Sequence, residues 1–295
     1  MMTVKTCPSM IALFAALAAA LPWGIGAEAQ ECEGLGSSAA TIVWPSPEDV
    51  TYSPYGYNYP YVLYVPAKAW GREAFPFLIV ESNNPGAPGV SADKLLNGAI
   101  AEATTTGGSL GHSLADRLGA PLLIPAFPRP NTQDQNSNIY THSLSRAAML
   151  VASGPLYRID LQLIAMVEEA KGKLAGCGLK LADKIVIDGF SASGVFASRF
   201  VLLHPDLVAG AAFGGVCGFL TLPVSQFKGH NLNYPLGTSD YARFTGRPFD
   251  VAAFDAVPQF AFTGGDDVEP KRDCVPMPDS YSDEERALID DILAR

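Results

Sequence analysis

The sequence predicts an α/β fold: a mainly parallel sheet with helices on both faces. Three observations carry that expectation. Short apolar runs of strand length alternate with longer amphipathic segments, the pattern of strand–helix–strand units whose crossovers build parallel sheets. The run Lys184-Ile185-Val186-Ile187-Asp188 leads directly into Gly189-Phe190-Ser191, and a helical segment begins at once. Finally, 295 residues with 48% hydrophobic and 17% charged side chains suit one large domain around a sizeable core, with no linker, repeat or low-complexity tract to divide it.

Before the fold comes a leader. Lys5 supplies a positive start, residues 10–21 are an Ala- and Leu-rich apolar stretch, and Ala27-Glu28-Ala29 matches the small-x-small cleavage rule. Residues 1–29 are therefore expected to be a signal peptide, residues 30–295 the domain, and the mature protein secreted or periplasmic. The apolar stretch is too short to span a bilayer comfortably and is followed by Pro22 and Gly24, which argues against a membrane anchor.

In the domain, residues 41–44 and 61–65 read as short strands separated by a Tyr- and Pro-rich turn region. Residues 75–80 form a continuous apolar run that stops at Glu81-Ser82-Asn83-Asn84-Pro85-Gly86, a buried strand followed by a loop. Residues 109–118 read as a helix, 121–124 as another buried strand and 131–138 as a polar loop. The clearest helix spans 156–174, with Ile159, Leu163, Val167, Ala170 and Leu174 on one face and Gly176 and Gly178 at its end. Strand 184–188 and helix 191–203 follow, the helix stopping before Pro205. Strands 208–213 and 259–263 and a final amphipathic helix over 283–293 complete the set.

A formal net charge of −10 excludes a protein built around nucleic-acid phosphates, which need clustered Lys and Arg. Four cysteines remain after the leader, Cys32, Cys177, Cys217 and Cys274, allowing two disulfides in any of three pairings or free buried thiols. No Cys-x-x-Cys pair exists and the histidines are scattered, so neither a metal site nor a cofactor is expected.

The segment around Ser191 has the context of a nucleophile elbow, a strand entering Gly-x-Ser with a helix immediately after it. The turn is sharp enough that residues two before and two after the serine must be small. Gly189 meets the first requirement, and Ser193 stands where glycine is usual, followed by Gly194. Ser193 is a poor rival nucleophile, because Ser191 would then replace the needed glycine and Val195 would crowd the other side. Helix N-termini carry unpaired N–H groups, so the Ala192 N–H is expected to stabilise an oxyanion. The loop 81–86 is expected to supply the second donor, with Asn83 the single best choice.

Four segments resemble the α/β-hydrolase superfamily, and most nearly its secreted esterases of the polyhydroxyalkanoate-depolymerase and feruloyl-esterase type. They are the elbow at 189–194, His204-Pro205-Asp206-Leu207-Val208-Ala209-Gly210 and its continuation, Pro258-Gln259-Phe260-Ala261-Phe262-Thr263-Gly264-Gly265-Asp266-Asp267, and residues 114–125 before the elbow. The resemblance implies a serine hydrolase of carboxylic esters, small or polymeric. Ser191 would be its nucleophile and Asp267 the acid that orients a histidine, with Asp266 the runner-up. A serine peptidase on the same fold and a catalytically inactive hydrolase-like binding protein are the alternatives.

The expected chain order is Ser, acid, His. His112, His142, His204 and His230 all precede Asp267. His204 sits in a His-Pro-Asp helix stop and reads as structural, His112 as a surface or capping residue, and His142 and His230 as loop residues. His230, between elbow and acid, is the least implausible substitute. The expectation is that the last strand and the histidine loop lie beyond residue 295, leaving the domain incomplete at its C-terminus.

Overall fold

In the computed structural model, the apolar runs identified above become the strands of one sheet. The structure describes residues 40–44, 56–71, 76–84, 87–130, 139–216, 221–265 and 283–293. The leader, the loop 131–138, Asp266, Asp267 and all cysteines other than Cys177 lie outside them.

The elements in chain order are β1 (Ala40–Trp44), β2 (Tyr61–Val65), β3 (Leu78–Glu81), α1 (Ala92–Thr104), α2 (Leu110–Leu118), β4 (Leu122–Pro125), α3 (Arg146–Met149), α4 (Ile159–Gly176), β5 (Ile185–Phe190), α5 (Ala192–Leu203), β6 (Val208–Gly214), β7 (Gln226–Phe227), β8 (His230–Asn231), α6 (Tyr241–Thr245), α7 (Val251–Asp255), β9 (Gln259–Phe262) and α8 (Asp283–Leu293). The sheet runs β1-β2-β4-β3-β5-β6-β9, and β7-β8 form a separate small hairpin. Strands β4, β3, β5, β6 and β9 are parallel to one another, while β2 pairs antiparallel with both β1 and β4. Among the described residues no helix is long and apolar enough to cross a membrane.

Strand alternation sends successive side chains to opposite faces, and here both faces are buried. Leu63, Leu78, Val80, Leu123, Ile185 and Ile187 enter the larger core beneath α4 and α5. Val62, Ile79, Leu122 and Ile124 enter a second core with Ala99 and Ala103 of α1 and Ala115 of α2. Helices therefore cover both faces, as expected. The predicted apolar face of α4 is the one that packs: Ile159, Leu163, Val167, Ala170 and Leu174 are all buried.

Local chemistry sets the helix ends. Ser109 accepts the His112 N–H at 3.0 Å at the start of α2, and Gly119 closes that helix in the left-handed region at φ 60°. Ser91 caps α1, where Asp93 complements the helix dipole. The last helix, α8, rests Leu288 and Ile289 on Leu232 and Leu236 in a small separate cluster.

Candidate active site

The parallel strands direct their C-terminal ends to one edge of the sheet, where open α/β folds gather their functional loops. At that edge β5 ends at Phe190 and α5 begins at Ala192, so the reversal is carried by Ser191 alone. Its backbone sits at φ 60°, ψ −121°, a region L-residues rarely occupy. Such strain costs on the order of 1–3 kcal/mol and persists only where neighbours enforce it. Here the Ser191 N–H donates to Gly214 O at 2.9 Å, and the Ser191 carbonyl accepts the Val195 N–H at 3.1 Å.

The turn leaves no room for side chains beside it. A Cβ on Gly189 would lie 2.4 Å from the carbonyl carbon and oxygen of Ser193, and one on Gly194 would lie 2.6 Å from Gly214 O. Ser193 replaces the usual glycine because its hydroxyl has a use. It accepts the Phe190 N–H and donates to the Phe190 carbonyl, both at 2.9 Å. One hydroxyl proton and a lone pair are thereby engaged, and the side chain is fully buried. Ser191, half-buried, is the hydroxyl left at the mouth of the turn.

The loop after β3 is clamped beside the elbow strand. Asn83 donates from Nδ2 to Phe127 O at 3.0 Å and accepts the Phe127 N–H at Oδ1 at 3.1 Å. The Asn84 N–H donates to the Glu102 carboxylate, at 3.2 Å to Oε1. The Asn83 side chain is thus a two-point clamp on Phe127. A cavity of about 370 Å³ opens here between Glu81, Asn84, Glu102, Phe190 and Phe262.

The histidines depart from expectation. His112 is neither a surface nor a capping side chain: it is buried, its Nδ1 lies 2.7 Å from Ala103 O, and its ring packs on Tyr64 at 4.9 Å. His142, expected in a polar loop, is fully buried in a 3-10 turn, with Nε2 donating to Phe127 O at 3.0 Å and Nδ1 3.0 Å from Thr141 Oγ1. Both rings found carbonyl partners outside their own helical turns, Ala103 on α1 and Phe127 after β4, which no local pattern signals. His204 sits 2.8 Å from Asp160, as a structural reading requires, and exposed His230 pairs with Glu284 on α8 at 2.6 Å. No hydrogen bond or ion pair among the described residues joins any of the four to Ser191.

Burial lowers the His142 pKa from 6.5 to about 3, against the opposing bond to Phe127, so the folded ring stays neutral where the unfolded one would be charged. The unfolded chain then binds more protons between those values. The stability associated with the neutral ring is complete above pH 6.5 and falls as the pH drops toward 3. By linkage the loss reaches roughly 3 kcal/mol at pH 4. Urea unfolding of His142→Gln should lack this part of the acid sensitivity.

One group of side chains carries no expectation from the sequence, the carboxyls of Glu81, Asp188 and Glu102. Glu81 is buried at the end of β3 and Asp188 beside it in β5, and Glu102 is pushed up to about 7 by burial and by the charge of Glu81, against the Asn84 bond. The one signal in the sequence was an acid closing each of two apolar strands.

The sheet order, the parallel central strands and a strained serine between the fifth strand and its helix define the α/β-hydrolase fold. No protein-family model matches the chain, nor does any curated protein sequence. Among solved structures it is similar to poly(aspartic acid) hydrolase-1 from Sphingomonas sp. KT-1, with a TM-score of 0.49 and 19% identity over 83% of this chain and 79% of that one. A poly(3-hydroxybutyrate) depolymerase from Bordetella parapertussis aligns with a TM-score of 0.44 and 15% identity, over 83% of this chain and 71% of that one. A ferulic acid esterase aligns with a TM-score of 0.42 and 10% identity, over 78% and 80% of the two chains.

Proposed function

We propose that this chain is a serine hydrolase acting on carboxylic esters, with Ser191 as nucleophile. The observation that carries the reading is the backbone of Ser191 at φ 60°, held between Gly189 and the first turn of α5. A non-glycine residue in that region is strained, and such strain gathers at functional sites. Ser191 Oγ attacks the acyl carbon and passes its proton to an imidazole oriented by Asp267. The tetrahedral oxyanion rests on the Ala192 N–H and a backbone N–H of the loop at Asn83. The alcohol leaves with the proton, and water then releases the acyl group from Ser191. This acyl transfer needs no cofactor. All four histidines of the sequence are engaged by other partners. The role of general base is therefore assigned to none of the four.

Cys177 is disulfide-bonded, which supports a secreted or periplasmic location because such bonds persist in oxidising compartments. The substrate is then a small or polymeric ester met outside the cytoplasm, not nucleic acid.

The test compares p-nitrophenyl esters with peptide p-nitroanilides for the wild type and Ser191→Ala. Esters should be hydrolysed in preference to amides, and the variant should lose on the order of 10³-fold or more in kcat/KM. Equal rates for the two proteins overturn the proposal. The engagement of every histidine favours one other reading, a hydrolase-like binding protein without turnover, which predicts that equality.

A further inference from the structure

Beneath the elbow, the last rung of the β3–β5 ladder is a pair of acids. Glu81 and Asp188 are register partners in adjacent parallel strands, so their side chains leave the same face of the sheet. Both converge on the first turn of α2. Glu81 Oε2 accepts the Gly111 N–H at 2.8 Å, and a Cβ on Gly111 would lie 2.7 Å from that oxygen and 3.3 Å from Asp188 Oδ1. Asp188 is fully buried, and neither of its oxygens meets a donor from another of the described residues.

No cation answers this charge among the described residues. Glu102 on α1 adds a third acid and binds the Asn84 N–H. His112 on α2 is occupied by Ala103 O and Asp116. Arg199 on α5 donates to Ser143 O, while β4 and β6 carry no ionisable side chain. Two adjacent buried carboxylates, one of them without a donor from a neighbouring residue, are strongly unfavourable, and one proton between them removes both the repulsion and the missing donor of Asp188.

We propose that Glu81 and Asp188 share a single proton, and that this bond sets the spacing between the Ser191 elbow and the loop at Asn83. Asp188 lies three residues before Ser191 and Glu81 two before Asn83, with no ladder rung beyond them. The pair is thus placed to hold the two walls of the oxyanion site at one distance. The directions agree: burial raises Glu81 against the bonds from the Ser109 hydroxyl and the Gly111 N–H, and burial and then the charge of Glu81 raise Asp188. These are positioning residues, and their role rests on the serine-hydrolase reading above.

The test is the rate of Ser191 labelling by a fluorophosphonate from pH 5 to 10, in the full chain and in Asp188→Asn and Asp188→Ala. The amide of the asparagine donates to Glu81 at every pH. Wild-type labelling should fall at least fivefold from its optimum on the alkaline side as the shared proton is lost. Asp188→Asn should lose less than twofold over the same range, and Asp188→Ala should label slowly throughout. Superimposable profiles for wild type and Asp188→Asn, or an asparagine variant no faster than the alanine one, overturn this inference alone. If none of the three is labelled at any pH, the hydrolase reading falls and this inference falls with it.

Discussion

Gly189→Ala is expected to lower the stability of the protein by about 3 kcal/mol and to destroy the elbow. The added methyl would meet the Ser193 carbonyl carbon and oxygen at 2.4 Å and the Gly194 nitrogen at 2.8 Å. All three atoms are backbone, so no side-chain rotation relieves the clash. Either β5 or the first turn of α5 must move, and each carries one wall of the Ser191 geometry. At about 2–4 °C per kcal/mol for a domain of this size, the melting temperature should drop by roughly 6–12 °C. Gly98→Ala provides a control of opposite sign. It lies inside α1 with nothing within 4 Å of an added Cβ, so it should gain about 0.5–1 kcal/mol. Thermal melts of the two variants check both signs at once.

Asp160→Ala is expected to destabilise by about 3–5 kcal/mol without touching the elbow. Asp160 is fully buried at the start of α4. It accepts from Arg158 Nε at 2.8 Å and Nη2 at 2.6 Å, and His204 Nε2 lies 2.8 Å away at the end of α5. The same guanidinium donates to Phe244 O at 2.6 Å, tying in α6. Removing the carboxylate leaves a largely buried guanidinium and a buried imidazole without their acceptor, which is why the cost exceeds that of an exposed pair. Burial alone would raise the Asp160 pKa, but the bonds from Arg158 and His204 override it and bring the carboxyl down to about 2. A depressed carboxyl stabilises the fold fully above its unfolded pKa of 3.8, and that contribution disappears as the pH falls through about 2. Chemical denaturation of wild type and Asp160→Asn should therefore differ most at neutral pH and converge in strong acid.

What the sequence disclosed was local. Residues 61–65 and 283–293 fold as the strand and helix read from them, and the Gly-x-Ser segment forms the sharp strand-to-helix turn expected of it, because its signal is confined to a dozen neighbouring residues. Helix α1 went unread. Its buried face is Leu95, Ala99 and Ala103, and Gly98 interrupts it, so small side chains mask the apolar period. The burial of His112 and His142 depends on carbonyls that other elements bring to them, and the Glu81–Asp188 pair exists only once β3 and β5 lie in register. Ser193 shows the converse. It departs from the small-residue pattern at the elbow, and the structure explains it through the two hydrogen bonds to Phe190.

The most direct measurement of the central proposal is peptide mapping of the protein after reaction with a fluorophosphonate. A serine activated by its elbow should carry the phosphonyl group at Ser191 alone, with buried Ser193 unmodified and Ser191→Ala unlabelled. Labelling at Ser193, or a protein in which Ser191 stays unmodified while folded, would contradict the assignment of Ser191 as the nucleophile.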